Sequence, residues 1–215
     1  MAATGQKFEG TLDNIVSGTL ELNREWLTLF GGFIFTEANF DSLDAAIITP
    51  TVEGSLGPAV QAGLISQSVL EETKEALSFS GDGVYYYYGF DVDYESWLLT
   101  YEYADYGIKD SGDTINEVWY VTGGKRFDNF VITATHGEYA QPIDTAHIAK
   151  LNPIVQPLAS AVIGNLASQF YTIDQVSISY SLHPAALLKG ELFSWDPLNS
   201  GENLTGVSFG IDLVF

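Results

Sequence analysis

The last ten residues, GVSFGIDLVF (206–215), restrict the fold more than any other stretch of the chain. Val207, Phe209, Ile211, Leu213 and Phe215 are large and apolar, and Ser208, Gly210 and Asp212 lie between them, with Val214 the one exception. A period of two puts each set on its own face of a strand. In a soluble protein the apolar face would meet a core. In an outer-membrane barrel it meets lipid, and a terminal Phe sits in the interfacial aromatic girdle.

The same alternation recurs in pairs along the chain. Ile15–Asn23 sets Val16, Gly18, Leu20 and Leu22 against Ser17, Thr19, Glu21 and Asn23, and Trp26–Asn39 follows with apolar residues on both faces. Val84–Glu95 sets Tyr86, Tyr88, Phe90, Val92 and Tyr94 against Tyr85, Tyr87, Gly89, Asp91, Asp93 and Glu95. Its partner sets Trp97, Leu99, Tyr101 and Tyr103 against Leu98, Thr100, Glu102 and Ala104. Glu117–Phe127 pairs with Phe130–Tyr139 across Asp128-Asn129, a favourable turn dipeptide. Gln175–Leu182 turns at His183-Pro184-Ala185 into Ala186–Trp195, and the closing strand follows. About nine strands result, each of about 9–12 residues, the length that crosses a tilted bilayer; soluble strands average about 5–6.

The connections sort by parity. Arg24-Glu25, Glu95-Ser96, Asp128-Asn129 and His183–Ala185 are short; Phe40–Gly83, Asp105–Asn116, Ala140–Asp174 and Asp196–Thr205 are long. Outer-membrane barrels have short periplasmic turns and longer external loops. The spacing predicts helices over Pro58–Leu77, with Pro58 near the helix start, and over Pro153–Phe170, both packing over a barrel mouth. One barrel domain over 1–215, with loop insertions at 40–83 and 140–174, is the expected organisation. Nine strands that end at the periplasm begin outside, whereas bacterial barrels have an even number. A further strand is therefore expected, as Lys7–Leu12 or upstream, in a chain truncated at its N-terminus.

Composition narrows the function. No apolar run reaches the roughly 18–20 residues of a membrane helix, and Leu151–Phe170 is interrupted by Asn152, Pro153, Gln156, Pro157 and Asn165. Aromatics form 13% of the chain and suit interfacial belts as well as a core. There is no cysteine, which excludes thiol chemistry and disulfides. Twenty-eight acids against eight Lys and Arg give a formal charge of −20, which argues against nucleic-acid binding. The opening MAATGQKFEG has no signal-peptide pattern.

Enzymatic motifs are weak. His136, His147 and His183 lack metal-ligand spacing, no phosphate-binding loop or G-x-S-x-G occurs, and Asp91-Val92-Asp93 lacks the rest of a calcium loop. No enzyme activity, metal or cofactor is expected.

Three segments carry a resemblance. GFDVDYESWLLTYEYADYG (89–107), WYVTGGKRFDNFVITAT (119–135) and the close SISYSLHPAALLKGELFSWDP…LTGVSFGIDLVF resemble the C-terminal half of a family of gram-negative porins. The matching positions are Trp97, Leu98, Leu99, Glu102, Tyr103, Ala104, Trp119–Gly124, Arg126, Phe127 and Phe215. The likeness covers about 83–140 and 174–215, and is weaker over 15–39. It implies an all-β, transmembrane, antiparallel up-and-down β-barrel of about 16 strands, usually trimeric, with a water-filled lumen. The constriction loop of such porins belongs to the other half of the barrel.

If the apolar sets face lipid, Glu21, Asp91, Asp93, Glu102, Arg126, Lys189, Glu191 and Asp212 line the pore. Arg126 and Lys189 among these carboxylates would set a transverse field across the lumen, or else pair with acids on neighbouring strands. The acidic excess predicts a preference for cations. The expected function is passive diffusion of ions and small hydrophilic solutes through a channel in the cell outer membrane. The expected partners are membrane lipid and lipopolysaccharide, the latter bridged through divalent cations at loop acids such as Asp110, Asp113 and Glu202, and two further copies in a homotrimer. Two alternatives remain: a small non-conducting barrel that anchors or adheres, and a lipocalin-like carrier. Alternation alone does not say which face is inside.

Overall fold

The structure, a computed structural model, describes residues 9–112, 115–142, 146–166, 170–197 and 203–213. Nine antiparallel strands form one sheet in chain order. They are β1 (Thr11–Arg24), β2 (Leu27–Asn39), β3 (Gly81–Tyr94), β4 (Trp97–Ile108), β5 (Asn116–Phe127), β6 (Phe130–Ala140), β7 (Phe170–His183), β8 (Ala186–Pro197) and β9 (Leu204–Leu213). At 10–14 residues they meet the roughly 9–11 that a tilted membrane strand needs. Among the described residues, β1 and β9 each pair on one edge only.

The short turns are tight. Glu25, Glu95 and Asp128 each open one with positive φ (40°, 56° and 46°), which lets the chain reverse within two residues. The remaining one, at Pro184-Ala185, follows a register shift between Ser181 and His183. Strand ends differ from expectation at the other side of the sheet. β3 begins at Gly81 and β7 at Phe170, so pairing continues beyond the segments that alternation marks, over Gly81–Gly83 in β3 and over Phe170–Asp174 in β7. Thr11 and Leu12 pair with Asn39 and Ala38 as the start of β1, with a bulge between Asp13 and Val16. Lys7–Leu12 is therefore not a separate strand where it is described. Phe215, the expected girdle residue, lies outside the described residues, as does Lys7.

Helices fill two of the long loops: α1 (Asp41–Leu43), which runs through a π-helical stretch (Asp44–Ile48) into α2 (Thr49–Gln61), then α3 (Gln67–Leu77), and α4 (Gln156–Leu166). The expected single helix over Pro58–Leu77 is broken. Pro58 sits in the last turn of α2, and Gly63 takes a left-handed φ of +71° just beyond it. The Leu64 N–H reaches back to the Ala59 carbonyl (2.9 Å) and the Gly63 N–H to that of Val60 (3.0 Å), which closes the helix end. Ser66 then restarts the chain by accepting from the Val69 N–H at 3.4 Å. The helix expected over Pro153–Phe170 shortens to α4, with Pro157 in its first turn and Phe170 already in β7.

These helices make their own core. Ile48, Val52, Leu56, Ile65, Leu70 and Leu77 pack against Ile148, Val155, Ala159 and Ile163 of the other loop. Asp44 staples the first loop shut: it accepts from the Phe79 N–H (2.7 Å) and from the hydroxyls of Ser78 and Ser80. No described helix is long and apolar enough to cross a membrane.

Candidate functional site: the polar face of the sheet

Register assigns every strand residue to one of two faces. One face carries Val16, Leu20, Leu29, Tyr88, Phe90, Leu99, Val121, Ile132, Val176, Ile178, Leu192, Val207 and Phe209. The other carries Thr19, Asn23, Thr28, Thr100, Thr122, Thr133, Thr135, Gln175, Ser177 and Ser208. Burial runs opposite to a soluble protein. In β6 the exposed side chains are Phe130, Ile132 and Ala134, and the half-buried ones are Val131, Thr133 and Thr135. In β7 Val176 and Ile178 are exposed, whereas Gln175, Ser177 and Ser179 are not. The polar side chains are crowded together on the enclosed side of the sheet, and the apolar ones splay outward. A carrier with an apolar interior requires the reverse.

The apolar face is bounded by aromatics. Toward the short turns, Trp26 meets Tyr94 edge-on at 6.0 Å and Phe130 lies 4.6 Å from Tyr180. Lys125 extends its ammonium over the Trp97 ring at 4.3 Å, as a long cation does at an interface. Toward the long loops Tyr88 stacks on Tyr103 (5.1 Å) and Trp119 meets His136 (5.5 Å). Toward this end the same face turns polar, with Asp105 opposite Glu117 and His136, the ring that meets Trp119, joined to Asp174 at 2.7 Å. An apolar band between aromatic girdles is the pattern of a lipid-facing barrel wall.

All the candidate pore residues fall on the polar face. Two are cations, and both are paired: Arg126 grips Asp93 with two guanidinium nitrogens, one at 2.8 Å, and Lys189 meets Asp212 at 2.7 Å. The other acids have neutral donors only among the described residues. Asn23 donates to Glu21 (2.5 Å), Thr100 to Asp91 (2.6 Å), Tyr120 to Glu102 (2.8 Å) and Ser208 to Glu191 (2.7 Å). The cations therefore neutralise neighbours, and Glu21, Asp91, Glu102 and Glu191 leave this face net negative. A transverse field from unpaired cations facing carboxylates does not arise here, because register sets Lys189 within reach of an acid on the neighbouring strand and Arg126 within reach of one two strands away.

A belt of rings on this face escaped the alternation, since Tyr and Phe fall on both sides of β2 and β3. Phe30 and Tyr87 lie 6.4 Å apart, Tyr85 lies 5.6 Å from Tyr87 and 6.3 Å from Tyr106, and Tyr139 stacks on Tyr171 at 4.8 Å. Trp195 meets Tyr171 edge-on at 5.6 Å. Phe30 and Tyr87 each stand opposite a glycine, Gly89 and Gly32, a pairing that only register supplies.

Among the described residues no group of His and acids is arranged to hold a metal. His136 belongs to the pair with Asp174, and the His183 ring accepts from the Ala185 N–H at 3.2 Å. His147 is buried beside the helical core, with neither ring nitrogen hydrogen-bonded among the described residues. Of the loop acids, Asp110 faces Lys150 at 3.8 Å, and Asp113 and Glu202 lie outside the described residues.

No protein-family model matches the chain, and no curated protein matches it. Among solved structures it is similar to the outer membrane channel DcaP of Acinetobacter baumannii, with a TM-score of 0.54 and 11% sequence identity. The likeness covers 98% of this chain and 53% of that channel, so the chain spans about half its length. At that identity the likeness is one of fold: an up-and-down antiparallel wall of the kind an outer-membrane channel uses.

Proposed function

We propose that this chain forms the wall of a water-filled outer-membrane channel for passive diffusion of ions and small hydrophilic solutes, with a preference for cations. The observation that carries the reading is the inverted burial, with polar residues enclosed and apolar ones outward between aromatic girdles. Glu21, Asp91 and Glu102, which have no cationic partner among the described residues, would draw cations into the lumen, with Glu191 beside Lys189 adding to the acidic excess. Catalysis has no part in this reading.

Hydrocarbon cannot solvate the outer edges of β1 and β9, which pair with nothing among the described residues, so those edges are paired in the membrane. Both strands run toward the short-turn end. An antiparallel wall therefore closes between them with an odd number of further strands. Lipid and lipopolysaccharide surround the apolar band, and a homotrimer is the assembly we expect.

Planar bilayers test the function. Stepwise conductance is expected, with a reversal potential in a KCl gradient that reports cation preference. Glu102→Gln together with Glu21→Gln is expected to move that potential toward the non-selective value. An inserted barrel without conductance would replace the channel with an anchor. A water-soluble monomer that binds an apolar ligand and never inserts would overturn the membrane reading itself.

A further inference from the structure

Five adjacent strands place a framed aromatic surface on the enclosed face. Register sets Glu21, Phe30, Gly89, Glu102 and Tyr120 in one row across β1 to β5. A side chain at Gly89 would fall 2.6 Å from the Phe30 ring, and one at Gly32 would fall 2.6 Å from that of Tyr87. Each ring lies over the glycine opposite it. The two rings thus lean across the wall over the glycines, tilted 38° to one another, and offer ring surface to the enclosed space.

Tyr85 extends this surface toward Tyr106, a ring still 38% exposed on the enclosed side. The carboxylates stand at its margins, Glu21 directly opposite Phe30 and Glu102 opposite Gly89. Among the described residues, Glu21 and Glu102 accept from the neutral side chains of Asn23 and Tyr120. A wall built only to hold water and small ions has no use for such rings, and an anion would be repelled by the acids.

We propose that the platform formed by Phe30, Tyr87 and Tyr85, flanked by Glu21 and Glu102, binds organic cations that join a quaternary or protonated nitrogen to an apolar body. The nitrogen lies over the π-faces, where the ring quadrupole attracts it, and the flanking carboxylates supply the counter-charge. The apolar body covers the rest of the ring surface. The proposal rests on the reading of this face as a channel lumen and names the solute class that face selects.

The test is titration of the protein in detergent micelles with benzyltrimethylammonium, followed by calorimetry. Comparators are tetramethylammonium, which has the charge without the ring, benzenesulfonate, which has the ring with the opposite charge, and maltose, which is neutral. Benzyltrimethylammonium is expected to bind best. Phe30→Leu with Tyr87→Leu keeps apolar bulk and removes the π-faces, with an expected loss of about five-fold or more in affinity. Glu102→Gln is isosteric, keeps an acceptor for Tyr120, and is expected to weaken the cation while leaving benzenesulfonate no worse. Tyr180→Leu, on the opposite face, is the control and is expected to change nothing. Benzenesulfonate or maltose binding as well as the cation would overturn the proposal, as would unchanged affinity in both variants. Binding in micelles without conductance in bilayers would sink the channel and leave the platform standing; conductance without binding would do the reverse.

Discussion

The sheet and the helical cap treat the same kinds of side chain in opposite ways. In the cap, Val52 and Leu77 have no exposed surface, and Ile48 and Ile163 are nearly as enclosed. In the sheet, Phe209 is 86% exposed and lies in a continuous apolar face with Val207, Ile211 and Leu192. The cap meets the cost of exposing hydrocarbon to water by folding on itself, helix against helix. The sheet does not, because its apolar residues sit on the splayed face, which no described element covers. One region carries its apolar environment within it, and the other leaves its apolar face open, which lipid would cover in the proposed membrane setting.

That contrast can be broken at its strongest point. Leu77→Ala leaves a cavity in the cap core and is expected to destabilise the cap by about 2–5 kcal/mol. The measurement is protease cleavage within α2 and α3, with membrane insertion unchanged. If Leu77→Ala also prevented insertion, the regions would not be independent.

Ile178→Arg places a charge on the outward apolar band and, if that band meets lipid as proposed, is expected to cost about 2–4 kcal/mol. Its neighbour Ser177 points to the enclosed face, so Ser177→Arg is expected to fold into vesicles nearly as well as the unaltered chain. Urea unfolding of the vesicle-inserted protein measures both. Equal penalties at the two positions would contradict the assignment of faces.

The smallest expected effect is electrostatic and confined to the cap. Lys74 meets Glu53 at 2.6 Å and Glu71 at 3.3 Å, and the hydrogen bond to Glu53 is the main cause that raises its pKa above the ordinary 10.5. A cation with a raised pKa in the folded state stabilises fully below the unfolded value, and that contribution is lost as pH rises through the folded one. Loosening of the cap above about pH 10.5 is expected, read as protease sensitivity, and Lys74→Met should remove this component of the pH dependence.

Strands and hairpins were legible because a pleat converts chemistry into a period of two. Asp128-Asn129, for instance, marks a turn without any tertiary information. The α2–α3 break was less so. Pro58 suggested a helix start, yet the decisive residues are Gly63, which accepts a left-handed φ, and Ser66, which caps the next helix. The ion pair of Arg126 with Asp93 spans two strand boundaries and depends on register, which no local pattern contains.

The sequence by itself determined the number and direction of the strands, the parity of their connections and the two sets into which side chains divide, since all of these follow from local backbone geometry. Only the tertiary structure decided which set is enclosed. Alternation is identical for a barrel with a wet interior and one with a greasy interior; the side toward which the sheet crowds its side chains is a property of all nine strands together. For the closing strand, that places Val207 and Phe209 outward and Ser208 inward beside Glu191.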